Sequence, residues 1–269
     1  MEAILDSGLC PLVDTTGRLC AFGCDNAFTG SRLTASAFMP DLPVDNLATP
    51  QGAPATAWRA PGRTASVTIE PGGMVDWRCF SLHRTNLTAT AQWSVRIWRG
   101  ATLAHETGLL AADTRDGQSV MMLDTAVTGD RVTILMADAQ NPDGFLSIPL
   151  AYAGPLWQPQ RNMAWSSGES AESGADTVTS LSGVEYVTLR WQRRVLRIEH
   201  QSLGTEELPQ IRAMLALGRT GANILFLPDP GAGTRSGDAV FGRVEAGEIT
   251  SSAGAANRRA LTLTIRERL

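Results

Sequence analysis

A mainly β protein with one helix late in the chain is what the sequence predicts, and three observations carry it. Short runs that alternate apolar and polar residues recur between residues 64 and 138, with no helical periodicity between them. The breaks between runs, such as EPGG, RDGQ, VTGD and NPDG, are turn chemistry: Gly tolerates positive φ, and Asn and Asp bond their own backbone. Only residues 204–218, GTEELPQIRAMLALG, set apolar side chains at a helical spacing. The expectation is an antiparallel sandwich followed by a second β barrel or sandwich domain with one α-helix. A chain of 269 residues has room for both cores.

Taken in order, residues 1–28 form an N-terminal segment. Its opening, MEAILDSGLCPLVD, has neither the basic start nor the apolar stretch of an export signal. Residues 30–62 hold five prolines, which forbid a continuous helix and favour loop-bound, extended backbone. The runs TASVTIE, WRCFSLHRTNL, AQWSVRIWRG, SVMMLD and DRVTILMAD are strands whose β-branched and aromatic residues suit a pleated surface buried on one side. The first domain spans 29–152. Residues 154–165 connect it to the second, 153–269, which starts with a small, polar stretch, 166–183, expected as a long loop or irregular edge strand.

GVEYVTLRWQRRVLRIEHQ, 183–201, alternates Val187, Leu189 and Trp191 with polar neighbours, the pattern of a half-buried strand. Its register slips at Arg193–Arg194, so that Leu196 and Ile198 become the apolar set, which predicts a bulge or turn. The helix is placed at 206–217, with Pro209 in its first turn and Gly218 as its cap. ANILFLPDPG is a buried strand ended by Pro228 and Pro230, whose missing N–H groups cannot extend a ladder. AVFGRV and ALTLTIRERL complete the second domain as strands.

A formal charge of −4 and a pI near 5.4 exclude generic nucleic-acid affinity, which needs a net basic footprint. All 23 basic residues are arginine. Cys10, Cys20, Cys24 and Cys79 lack the C-x2-C pairs of zinc knuckles and read as buried thiols. His83 and His200 fall in strands and read as structural. No nucleophile elbow or phosphate loop occurs, and DAQNPDG, 138–144, has Pro142 where a calcium loop needs a ligand, so it reads as a hairpin turn. The chain is therefore expected to be no enzyme and to use no cofactor or metal. A paired-carboxylate polysaccharide hydrolase stays only as a third reading, because such acids are matched in space. Trp93 and Trp98 differ in parity, so one at least faces the core. Trp58, on a Pro/Gly-rich loop beside Arg59, is the candidate for stacking on a sugar ring.

The run SAFMPDLPVDNLATPQGAPATAWRA, with ASVTIEPGGMVDWRCFSLHRTNLTATAQWSVRIW after it, resembles discoidin-like, galactose-binding-like jelly rolls. Asn46-Leu47, Trp58-Arg59 and Asn86-Leu87 stand in that family's order. From GVEYVTLRWQRRVLRIEHQSL through MLALG, ILFLPDP, FGRV and LTIRE, the second half is similar to the barrel domain of tailed-bacteriophage minor tail and tail-tip proteins. The resemblance implies a structural, oligomeric component of a phage or phage-derived tail near its distal end, located in the virion and made in the host cytoplasm. Its partners would be other tail proteins and its own copies, without specific nucleic acid or membrane insertion. The alternative is a carbohydrate-binding module for a cell-surface glycan, contacted by Trp58 and Arg59. On the leading reading Arg190, Arg193, Arg194 and Arg197 form an assembly interface, their planar forks pairing with carboxylates across a subunit boundary.

Overall fold

The computed structural model describes residues 19–233, 235–251 and 257–269. Cys10 and the first eighteen residues lie outside that set. The strands of the first half are β1 (Ala21–Gly23), β2 (Arg32–Ala35), β3 (Trp58–Pro61), β4 (Thr64–Glu70), β5 (Val75–His83) and β6 (Gln92–Arg99). They continue through β7 (Thr102–Glu106), β8 (Leu110–Ala111), β9 (Ser119–Gly129), β10 (Arg131–Ala137), β11 (Phe145–Ile148) and β12 (Leu150–Gly154).

Strands β2 to β12 build an antiparallel jelly roll. One sheet runs β2-β4-β10-β6-β7, with β8 beside β6; against it stand β12-β5-β9 and the pair β11-β3. Alternation is the cause: Val67 and Ile69 of β4, Val132 and Ile134 of β10, and Val95 and Ile97 of β6 all point into one core. Trp58, Trp77 and Trp93 are the largest side chains in it. Each aromatic there removes 150–250 Å² from water, and truncating one costs about 3–5 kcal/mol. The Trp77 indole meets the demand of burial: its Nε1 donates to the Gly129 carbonyl at 3.0 Å. The DAQNPDG run is a turn but not the expected hairpin, since the strands it joins, β10 and β11, lie in different sheets. Buried Asp138 accepts from the Thr88 backbone N–H (2.7 Å) and hydroxyl (2.8 Å), and Asp143 accepts from Asn86 Nδ2 (2.8 Å).

The second half consists of β13 (Gly168–Thr179), β14 (Glu185–Gly204), α1 (Leu208–Thr220), β15 (Asn223–Leu227), the single turn α2 (Arg235–Asp238), β16 (Val240–Ser251) and β17 (Arg258–Glu267). Its sheet has the order β1-β15-β16-β17-β14-β13. The ladder is open, with β1 and β13 as its edges. β1, from the N-terminal segment, pairs with β15 through Phe22↔Phe226. The helix lies later than the expected 206–217. A 3-10 turn, Thr205–Glu207, precedes it, and it ends at Gly221, whose φ of 76° supplies the left-handed cap. Gly218 is not the cap; it sits inside the helix because a side chain there would press on Val244. Pro209 is in the first turn as its chemistry requires. Ile211 and Met214 turn into a core with Phe226, Val244 and Leu263.

The two halves meet through a third apolar group, in which Cys79, Leu150 and Tyr152 of the jelly roll pack with Leu225, Leu227 and Phe241 of the other sheet. A buried polar chain crosses the same junction. Ser81 Oγ lies 2.8 Å from His83 Nε2. Gln118 donates from its amide nitrogen to His83 Nδ1 at 2.6 Å, while its oxygen accepts from Arg194 Nη2 at 2.9 Å. Arg194 continues to Glu267 at 2.7 Å.

Candidate functional site

β14 is twenty residues long, and its neighbour β17 covers only part of it. The β14–β17 pairing runs from Val195↔Arg266 to Gly204↔Arg258. Before Val195 the only strand paired with β14 among the described residues is β13, so residues 171–194 project as a two-stranded arm with its tip at Ser180–Val184. An isolated hairpin is marginal in water, and this one exposes apolar side chains throughout. Tyr186 is 61% exposed, Val187 65% and Leu189 57%, and Val178, Leu181 and Val184 are exposed beside them. Exposed apolar surface of this kind marks an interaction site.

The half-buried strand expected for Val187, Leu189 and Trp191 is thus corrected: the period of two is present, but no second layer faces it. The register slip is also earlier than expected. Gly174 pairs with Trp191 and Ala175 with Leu189, leaving Arg190 as the extra residue of a bulge. A second irregularity lies between His200 and Leu203. Trp191 lies flat over Gly174, where any side chain would collide with the indole, and the Arg193 guanidinium sits 5.1 Å from the indole centroid.

The four arginines assigned to an assembly interface each have a carboxylate in their own chain. Arg190 pairs with Asp176 across the arm. Arg193 meets Glu172 at 2.8 Å, and Arg197 meets Glu199 at 2.8 Å. Arg194 binds Glu267 and also donates to the carbonyls of Gly237 (2.8 Å) and Ala239 (2.5 Å). Burial lowers the Arg194 pKa, but the hydrogen bond and charge of Glu267 outweigh it and hold the guanidinium ionised. The Arg193 hydrogen bond, in turn, pulls the Glu172 carboxyl below its usual range. Each of the four thus has a carboxylate within its own chain: Arg190 and Arg193 join β13 to β14, Arg197 pairs along β14, and Arg194 ties the arm to β17 through Glu267.

The candidate sugar contact fares likewise. Trp58 is 1% exposed and donates from Nε1 to the Ala37 carbonyl at 3.1 Å, so its ring cannot stack on a ligand. The physical reason is that the loop ends as strand β3, with Trp58 opposite Ile148, which turns the ring inward. Arg59 is half-buried, stacked on Phe145 with 4.5 Å between guanidinium and ring centroid.

A separate cleft of about 740 Å³ lies between the halves. Leu150 and Phe241 line it with apolar surface, and Asp25, Asn26, Thr29, Ser31, Thr49 and Asp76 line it with hydroxyl, amide and carboxylate groups. The thiols show no reactive character: burial pushes Cys20, Cys24 and Cys79 up to about 12. Among the described residues no three His, Cys, Asp or Glu side chains converge as a metal site, and no helix is long and apolar enough to cross a membrane.

No protein-family model matches the chain, and no curated protein does. Solved structures resemble about half of it. The Clostridium perfringens protein CpGH89CBM32-5, in complex with GalNAc-β-1,3-galactose, is 15% identical with a TM-score of 0.38, covering 47% of this chain and 96% of that one. The family 32 carbohydrate-binding module of C. perfringens NanJ, in complex with galactose, is 14% identical with a TM-score of 0.39 over 51% of this chain and 99% of that one. A Streptococcus pneumoniae fucose-binding module is 10% identical with a TM-score of 0.39, covering 49% and 98%. These neighbours are carbohydrate-binding modules.

Proposed function

We propose that this chain is a non-catalytic docking protein that assembles with its own copies and with other proteins through the β13–β14 arm. The observation that carries the reading is the arm itself, a two-stranded projection whose apolar side chains lie in solvent while Arg190 and Arg193 are paired across it with Asp176 and Glu172. A sequence that keeps Tyr186, Val187 and Leu189 outside any core carries an aggregation hazard, and a partner surface removes it. The setting we propose, following the sequence resemblance, is the distal part of a phage or phage-derived tail. The test is sedimentation velocity over a concentration series with the intact chain. The wild type associates and Val187→Ser/Leu189→Ser stays monomeric; equal association of the two sinks the reading. Mass spectrometry of purified tail particles then asks whether the chain is a stoichiometric component.

A second reading, carbohydrate binding, attaches to the cleft rather than to Trp58. Its six polar side chains over an apolar floor suit a polyhydroxylated ligand, which needs hydrogen-bond partners and an apolar face together. The neighbours are described with galactose, fucose or GalNAc-β-1,3-galactose, and those sugars are the probes. A glycan array shows retained sugar that Asp25→Ala/Asp76→Ala releases; an array blank at millimolar sugar removes this reading.

A further inference from the structure

We infer that the arm of one copy seats on the outer face of α1 of a second copy, Glu185 against Arg212 and Arg219, Val187 and Leu189 on Ala213 and Ala216. This rests on the reading of the arm as the docking element and names the surface that receives it.

Charge is the first argument. The arm, residues 171–194, holds three acids and three arginines, and each of those arginines is engaged by a carboxylate. Glu172 and Asp176 are already paired, whereas exposed Glu185, beside the arm's tip, enters no ion pair among the described residues. α1 has the opposite character: Arg212 and Arg219, no acid, and no ion pair for either arginine among the described residues. Arg268, which donates to the Gly221 carbonyl at 2.6 Å, adds positive charge at the helix end. Arm-on-arm pairing through the β13 edges would oppose strands that carry three acids and no base each. The opposite edge of the sheet, β1, is already bridged by Trp157. The helix is the surface of matching sign.

Shape is the second. The register sets Glu185, Val187 and Leu189 on one face of the arm, opposite Thr179, Thr177 and Ala175. Four strand steps separate Glu185 from Leu189, about 13 Å, and seven helical steps separate Arg212 from Arg219, about 10 Å. Arg212, Ala213, Ala216 and Arg219 are exposed, and the two alanines leave a shallow bed into which aliphatic side chains fit. α1 packs on β15 and β16, and β17 and β14 lie between these strands and β13. Arm and bed are thus different surfaces of the same chain. Their contact either exchanges reciprocally within a pair or continues head to tail into a ring or filament.

The experiment uses the intact chain in sedimentation velocity. Arg212→Glu/Arg219→Glu is expected to weaken association by about tenfold or more, with thermal unfolding unchanged because both side chains are exposed. Adding Glu185→Arg to that variant is expected to restore it. If the double reversal associates like the wild type while Val187→Ser/Leu189→Ser does not, the arm docks elsewhere and the helix assignment falls alone. If the arm variant also associates like the wild type, or if the wild type is monomeric throughout, the docking reading falls and this inference with it.

Discussion

Arg190 and Arg194 lie four residues apart on one strand and hold a carboxylate each, yet their surroundings give them different weights. The Arg190 and Asp176 side chains are 65% and 54% exposed, and an ion pair in water contributes about 0–1 kcal/mol. Arg194 and Glu267 are 22% and 20% exposed, and the same guanidinium also satisfies two backbone carbonyls at the junction. Removing one partner of a largely buried pair costs about 3–5 kcal/mol, because the other is stranded. Arg194→Ala is therefore expected to lower unfolding free energy by about 3 kcal/mol, and Arg190→Ala by less than about 1 kcal/mol, in urea melts at neutral pH. Equal effects would remove the distinction. In the sequence the two are indistinguishable, since the carboxylate that buries Arg194 is 73 positions away.

At the scale of elements, the strands with one wet and one dry face were legible. TASVTIE and RVTILMA bury every second residue along their length, and the alternation reports that directly. The arm was legible only as a strand. β13 buries nothing, so it lacks the apolar period that separates an edge strand from a loop. In β14 the alternation of exposed Val187 and Leu189 gives way, after one slip of register, to that of buried Leu196 and Ile198, and the slip does not mark where the sheet ends. The one available signal was length, since a strand of twenty residues must overhang a neighbour of ten. Trp58 failed for the converse reason: a Pro-rich approach hid a strand position with an inward face. If the arm's apolar residues serve docking and not folding, Val187→Ser/Leu189→Ser leaves the melting temperature unchanged, within the ~0.5 kcal/mol typical of surface changes. A clear drop would place them in the fold instead.

The molecule as a whole is held across its two cores by the junction, and the junction contains a group that titrates. His83 is fully enclosed, stacked on Phe241 at 5.0 Å and set between Ser81 and Gln118. Burial lowers its pKa from 6.5 to about 4, a shift the Glu267 charge opposes and the Arg194 charge reinforces. His200, 4.0 Å from Cys20 Sγ in the second core, is lowered to about 4 by burial as well. Between pH 6.5 and 4 the unfolded chain binds a proton at each site that the folded chain refuses. The stability from the neutral rings is thus complete above pH 6.5 and lost as the pH falls toward 4, by on the order of 3 kcal/mol for each histidine. A protonated His83 would turn a second donor onto the Gln118 amide, and Gln118 could satisfy it only by giving up its contact with Arg194. Acid therefore acts on the link between the cores as well as on the ring. Urea melts at pH 7 and pH 4.5 are expected to show a drop that His83→Gln reduces by roughly half, leaving the share of His200. A drop of the same size in the wild type and in His83→Gln would show that the junction does not sense protons.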